Sequence, residues 1–456
     1  VKLGSTTLLA LLAAGLFGTI TAARIMLPSG AFGDIDPALT TSHLIWLGTA
    51  GALYLAAVAI VRYRPTGGTA LAIILFTAVA VRIPLLVMAP TYSTDLYRYV
   101  WDGRVQAAGI NPYRYIPADP ALAPLRDPGA GPAAIYDNIN RPDYARTIYP
   151  PAAQLLFALV GRLAPNVWGI KTAMALLDIA TAVIMLALLR AAGRPLAHIL
   201  VWVWNPLVIW EFSGAGHIDA MAAAFVALAL LFAVRSRMGW AGAALGVAIA
   251  TKFLPAVFFP AIWRRWHWRA PLAALAVILA GYAVYASAGW NVFGFLGGYT
   301  AEEQLDSGGG FFLLRLIATA GPIPPWAATA YIAAALAILA GLAVWIAWRP
   351  LPLDPPSRAN VIGRGAIILA ATLTILMSPH YAWYMTIIVA PAVLVPAWSA
   401  LWLTVAAPLL YLDIDQTGFI QAAFLFLPPI VLLLPDLLFR GPRPAALPAM
   451  LARGGS

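Results

Sequence analysis

Asp95, Arg98 and Asp102 fall three and seven residues apart in Thr94-Asp95-Leu96-Tyr97-Arg98-Tyr99-Val100-Trp101-Asp102-Gly103-Arg104. A helix there carries all three on one face. Asp95 follows the end of an apolar run by some six residues, and a carboxylate held at a bilayer edge can take a proton from a hydroxyl. The competing reading is an Asp95 to Arg98 ion pair or a helix cap. Lys252 stands alone in Thr251-Lys252-Phe253-Leu254-Pro255; a cation at membrane depth either meets an anion such as a phosphate or snorkels to the headgroups. His217 and Asp219 occupy Gly214-Ala215-Gly216-His217-Ile218-Asp219, where a glycine turn presents N–H groups to an anion or Asp219 caps the next helix. His380 lies in Ser378-Pro379-His380-Tyr381-Ala382-Trp383-Tyr384, whose rings stack on a sugar or mark the membrane boundary. Glu302, Glu303 and Asp306, before Gly308-Gly309-Gly310, read better as a solvated loop than as a divalent-ion site.

Something apolar must position these groups. Hydrophobic residues make up 62% of the 456 and charged residues 10%, which excludes a soluble globular protein and predicts an all-α polytopic membrane protein. The run 6–27 is long enough to span and is followed by further spans, so it reads as an anchor rather than a cleaved signal. With no cysteine, thiol nucleophiles and disulfides are excluded. No Walker-type loop, His-x-x-x-His or nucleophile elbow occurs. The net charge of +10 reflects arginines beside apolar runs, where they set orientation, rather than a nucleic-acid surface. Membrane lipids are the natural counter-charge.

Apolar runs predict about thirteen segments, at 6–27, 43–61, 68–89, 168–189, 196–213, 219–235, 239–263, 270–287, 326–348, 362–379, 383–397, 399–413 and 419–438. The arginine-bearing loops fall on one side, cytoplasmic, under two conditions. Pro151 to Leu163, being short for a span, must not cross but lie at the interface or re-enter from the outer side. The stretch 239–263 must be a broken hairpin with Lys252 at its tip, Pro255 preventing a continuous helix. The loop from Pro90 to Pro150, residues 213–219, Lys252, the 288–312 loop and His380 then all face outward. That loop holds six of the 18 acidic residues, Asp95, Asp102, Asp119, Asp127, Asp137 and Asp143.

The series Asp95-Leu96-Tyr97-Arg98 through Asn111-Pro112-Tyr113, then Thr147-Ile148-Tyr149-Pro150-Pro151, Trp204-Asn205-Pro206-Leu207, Gly216-His217-Ile218-Asp219, Thr251 to Pro255 and His380 to Tyr384 resembles the GT-C glycosyltransferases. It is most similar to bacterial mannosyltransferase-like members, with a looser likeness to the first mannosyltransferase of glycosylphosphatidylinositol assembly. The likeness runs from about residue 69 to 435. It implies a GT-C-like bundle with interfacial helices in a large outer loop, 90–167. It also implies an inverting transfer of a hexose, mannose foremost, from a polyprenyl phosphate donor to a lipid-linked or periplasmic acceptor. Asp95 matches the acid that activates the acceptor hydroxyl. Thr94 stands where members often carry a second acid, which argues against a paired-acid metal site.

The expected organisation is a two-span addition at 1–67, a catalytic membrane domain at 68–440 and a cytoplasmic tail at 441–456. Lys252, His217 and His380 are the expected donor phosphate ligands, supported by Arg98, Asp102, Asp219 and Tyr381. No metal ligand is assigned and no cofactor is required. The expected location is the bacterial inner membrane, with the site on the outer face. A secondary transporter or flippase of lipid-linked sugar, which favours midplane charges and repeats, and a noncatalytic lipid-sugar-binding subunit are the alternatives.

Overall fold

The computed structural model describes residues 3–27, 35–126, 134–264, 267–305, 307–412 and 414–438, and among these the chain forms helices and no strand. Asp127, Asp306, Arg265 and the C-terminal arginines lie outside the described residues. The helices that position the site are α1 (Ser5–Met26), α2 (Pro37–Tyr63), α3 (Gly68–Leu86), α4 (Asp95–Ala107), α5 (Pro151–Leu163) and α6 (Val167–Ala191). They continue with α7 (Asp219–Val234), α8 (Met238–Thr251), α9 (Arg269–Val284), α10 (Ala327–Trp348) and α11 (Pro355–Met377). Local chemistry sets several starts. Asp36 accepts from Ala38 N before Pro37, Asn166 from Gly169 N, and Asp354 from Ser357 N before Pro355, so side-chain oxygens meet orphan N–H groups at three N-termini.

Among the described residues six helices are long and apolar enough to cross a bilayer, and eight when two bent pairs each count as one span. These pairs are Leu196–Val203 with Pro206–Ala215, bent by 60°, and Arg269–Val284 with Ala286–Gly298, bent by 114°. Further apolar helices of 10–17 residues include α5, α7 and α8. The all-helical membrane architecture stands, and the count of thirteen segments is not confirmed. Apolar length is not helix length: the pair around Asn205-Pro206 and the positive-φ Gly289 break runs that look continuous in sequence.

The bundle has two chemically distinct ends. Arg358 donates to Val234 O at 2.7 Å and Pro352 O at 3.0 Å, and Arg264 to Pro260 O at 2.8 Å and Ile346 O at 2.6 Å. Arg62 bonds Pro396 O. These contacts bring the arginine-bearing loops together. From that end α8 and α11 run toward Lys252 and Ser378, while α6 and α7 run back toward Arg190 and Arg235. With 25 residues, α6 is about 37 Å long at 1.5 Å per residue, enough to cross a bilayer.

Three packing features shape the opposite end. α4 crosses α5 with backbones in contact: a Cβ on Gly103 would sit 2.5 Å from Phe157 O, and one on Gly161 2.3 Å from Gly103 O. Only glycine permits that approach. α5 itself exposes Leu155, Leu159 and Leu163, four residues apart, while Ala153, Phe157 and Gly161 are buried. Thirteen residues with an outward leucine stripe suit a helix lying along the membrane boundary. Finally, α1 and α2 pack on the rest of the bundle. Tyr54 donates to Val201 O at 2.8 Å, and the buried His43 ring lies 4.4 Å from Trp210 and 5.4 Å from Tyr92.

Candidate active site

Asp95 is the first residue of α4 and is half-buried. Its N–H donates to Ser93 Oγ at 3.2 Å, and Asn140 Nδ2 donates to its Oδ1 at 2.7 Å. Its Oδ2 has no hydrogen-bond donor among the described residues. The Asp95 to Arg98 pair does not form. Arg98 Nε bonds Asp102 Oδ1 at 2.9 Å instead, both side chains being nearly sealed. That is the better helical spacing, one full turn. Asp102 also accepts from Gln154 Nε2 at 2.8 Å, and Gln154 accepts from Gln106 at 2.9 Å, itself bonded by Tyr285 at 2.7 Å. Arg98 and Asp102 therefore brace α4 against α5 and do not touch Asp95.

Lys252 is not the lone cation its sequence suggests. α8 stops at Thr251, Lys252 is extended at φ −156°, and its Nζ lies 2.9 and 2.8 Å from the two Asp219 oxygens. Tyr384 packs its ring face 4.2 Å from the same nitrogen. The broken helix expected at Lys252 is present, and residues 254–262 return against α8 and α11. Asp219 opens α7, yet its carboxylate serves Lys252 and caps no backbone N–H. Gly216, at φ 77°, makes the turn before it, and a Cβ there would lie 2.5 Å from Leu96. Glycine is required on both counts.

Tyr99 ties the two charged groups together. Burial pushes its phenol well above the ordinary value, and the carboxylates of Asp95 and Asp219 add to the shift. Both acids thus lie within electrostatic reach of one ring, and Tyr99 stays a neutral phenol. Tyr149 meets Tyr99 edge-on at 4.9 Å and is likewise raised by burial and by Asp95. Phe157 of α5 stacks under Tyr99 at 4.7 Å.

A second layer closes over Asp95. Arg141, beside Asn140, pairs with Glu302 at 2.6 Å, and Tyr144 donates to Glu302 at 3.1 Å. Burial opposes the Arg141 charge, but Glu302 outweighs it and raises its affinity for the proton. His380 pairs with Glu303 at 3.1 Å. Burial and Glu303 raise Tyr381, which also feels Arg141 and Asp95. Glu302 and Glu303 are thus engaged by side chains rather than grouped as ligands, and no cluster of three or more metal-binding side chains occurs among the described residues.

His217 sits beneath this layer. Its Nδ1 lies 2.6 Å from Glu211 Oε2, and its ring stacks on Trp383 at 4.1 Å, which stacks on Tyr381 at 4.6 Å. The expected gathering of the 90–150 loop, residues 213–219, Lys252, the 288–312 loop and residues 378–380 at one end is therefore what the fold builds among the described residues. Sequence reasoning missed Asn140, Tyr99, Arg141 and Glu211. Glu211 did carry a signal, being a carboxylate inside an apolar run; Asn140 carried none.

A family model described as the MptA_B family, alpha-(1->6)-mannopyranosyltransferase, N-terminal domain, matches residues 2–269, more than half of the chain, from α1 past Lys252. No curated protein and no solved structure matches the chain.

Proposed function

The chain belongs to the MptA_B family of alpha-(1->6)-mannopyranosyltransferases, and on that premise we propose that it transfers mannose from a polyprenyl phosphate donor by an inverting displacement. The bacterial inner membrane is its place and the chamber opens on the outer face, the arginine end lying in the cytoplasm in accord with the positive-inside bias. The observation that carries the reading is Asp95, with Oδ2 open, beside the Leu96 against which the Gly216 turn leading to the Lys252-bound Asp219 packs.

In the reaction the acceptor hydroxyl oxygen forms a bond to mannose C1 as the C1–O bond to phosphate breaks. The electron pair leaves on the phosphate oxygen and the hydroxyl proton passes to Asp95 Oδ2. Two needs follow, a base for the proton and donors for the leaving oxygen. Asp95 fills the first, oriented by Asn140. Lys252, His217 and His380 fill the second. Lys252 carries three N–H donors and shares them between Asp219 and the substrate. A neutral Tyr99 adds no further negative charge to the chamber. Since the displacement inverts C1, an α-linked product requires a β-linked donor. The acceptor is a lipid-linked or envelope glycan bearing a free hydroxyl.

Incubating the purified chain with radiolabelled β-mannosyl polyprenyl phosphate and a membrane lipid extract tests this. A labelled glycolipid is the expected product; label that stays on the donor, or reaches product only from a nucleotide sugar, removes the assignment.

A further inference from the structure

We propose that Glu211 is a positioning residue for transfer, acting through His217; the inference rests on the mannosyl-transfer reading above. Both side chains are about 1% exposed. Glu211 lies where the helix widens to π spacing over Trp210–Ala215, and the left-handed Gly216 then folds the chain back so that His217 N donates to Glu211 O at 3.0 Å. Such widened turns re-aim side chains at functional sites. Here the widening sets the carboxylate against the imidazole.

Each Glu211 oxygen has a donor. Oε2 faces His217 Nδ1 at 2.6 Å, and Oε1 accepts from the Tyr411 hydroxyl. A carboxylate only accepts, so the ring proton is held on Nδ1. A sealed carboxylate needs donors to stand in for the water it has lost. No Lys or Arg bonds Glu211 among the described residues, and the imidazole stands in their place. The other ring nitrogen, Nε2, is buried with no hydrogen-bond partner among the described residues. The ring cannot turn to satisfy it, being clamped between the Glu211 bond and the Trp383 face at 4.1 Å.

A ring nitrogen held in this way, two residues from the Asp219 that binds Lys252, suits one partner: an oxygen of the donor phosphate, with the hydrogen lying between the two. Glu211 touches no substrate. It fixes which ring nitrogen faces it and where the other points, an arrangement of the kind in which a carboxylate orients an imidazole from behind. Tyr411 in turn fixes the carboxylate, and its ring stacks on Tyr92 at 4.4 Å.

The test measures kcat and KM of the full chain with β-mannosyl polyprenyl phosphate for the wild type, Glu211→Gln, His217→Gln and the double variant. A glutamine at 217 offers an amide N–H near the Nε2 position without needing a carboxylate behind it. Glu211→Gln is expected to lower kcat by about tenfold or more, the worth of one charge-assisted hydrogen bond in the transition state. In the His217→Gln background the same change is expected to do nothing further. An equal fold-loss in both backgrounds, or unchanged kcat with only less folded protein, overturns the inference. Should the Glu211 variants not fold, Tyr411→Phe provides the second arm. Lowered kcat in folded Tyr411→Phe supports the inference, and wild-type kcat overturns it. Absence of transfer by the wild type overturns the functional reading and this inference together, whereas additive losses in an active enzyme overturn this one alone.

Discussion

The two ends of the bundle use charge in opposite ways. At the arginine end, guanidinium groups bond backbone carbonyls: Arg358 to Val234 O, Arg264 to Ile346 O and Arg62 to Pro396 O. At the other end side chains meet side chains: Lys252 pairs with Asp219 and Arg141 with Glu302, and a His380 ring nitrogen lies 3.1 Å from Glu303. Carbonyl partners hold a helix end in place, and the guanidinium N–H groups left over, such as Arg264 Nε and Nη2, have no lone pair with which to take a proton. At the other end the atoms without a partner among the described residues include a carboxylate oxygen, Asp95 Oδ2, and a ring nitrogen, His217 Nε2. Anchoring and chemistry thus differ less in how many charges gather than in what each one faces.

That contrast can be broken most sharply at Asp95. Asp95→Asn keeps the shape and the Asn140 contact while removing the base, and transfer is expected to fall roughly 10²- to 10⁴-fold, the usual worth of general-base catalysis, with the unfolding temperature in detergent unchanged. Loss of folding along with activity would place Asp95 with the anchoring charges. Lys252→Ala comes next, because it leaves the Asp219 carboxylate buried without a partner. Breaking a buried pair from one side costs about 3–5 kcal/mol, so thermal unfolding should show a large loss. Adding Asp219→Asn should restore much of the stability but not transfer. If the double variant transfers mannose at the wild-type rate, the pair is a brace alone.

Gly103→Ala probes the support behind the chamber. The new methyl group meets Phe157 O at 2.5 Å and must part α4 from α5, at about 1–3 kcal/mol for an overpacked contact. Reduced transfer per folded molecule should accompany it, since α4 carries Asp95. The smallest effect is expected at the far end. Arg358→Ala removes bonds to three carbonyls and should lower stability by about 1–3 kcal/mol, with transfer per folded molecule unchanged. A changed KM for the donor would show that the two ends are coupled.

The sequence revealed those parts of this arrangement that depend on local pattern. Unbroken apolar runs marked α1, α2, α3, α6, α10 and α11, and the length of Pro151–Leu163 distinguished it from a span. The Arg98 to Asp102 bond follows from helical spacing alone. Pro255 announced the break at Lys252. Partners distant along the chain were not legible: Asp219 lies 33 residues from Lys252 and Asn140 45 from Asp95, and no period links such pairs. Glu211 was visible as a carboxylate inside an apolar run, but nothing local showed that it faces His217 and Tyr411.

The docking of α1 and α2 has a practical corollary. Tyr54 reaches across to Val201, and His43 lies against Trp210, the residue preceding Glu211. The leading hairpin is therefore a wall of the enzyme rather than a detachable tether. A shortened gene product beginning at residue 68 would turn the Trp210 face toward acyl chains and free the segment under His217 to relax, so an inactive truncation would report on lost scaffolding and not on lost membrane targeting.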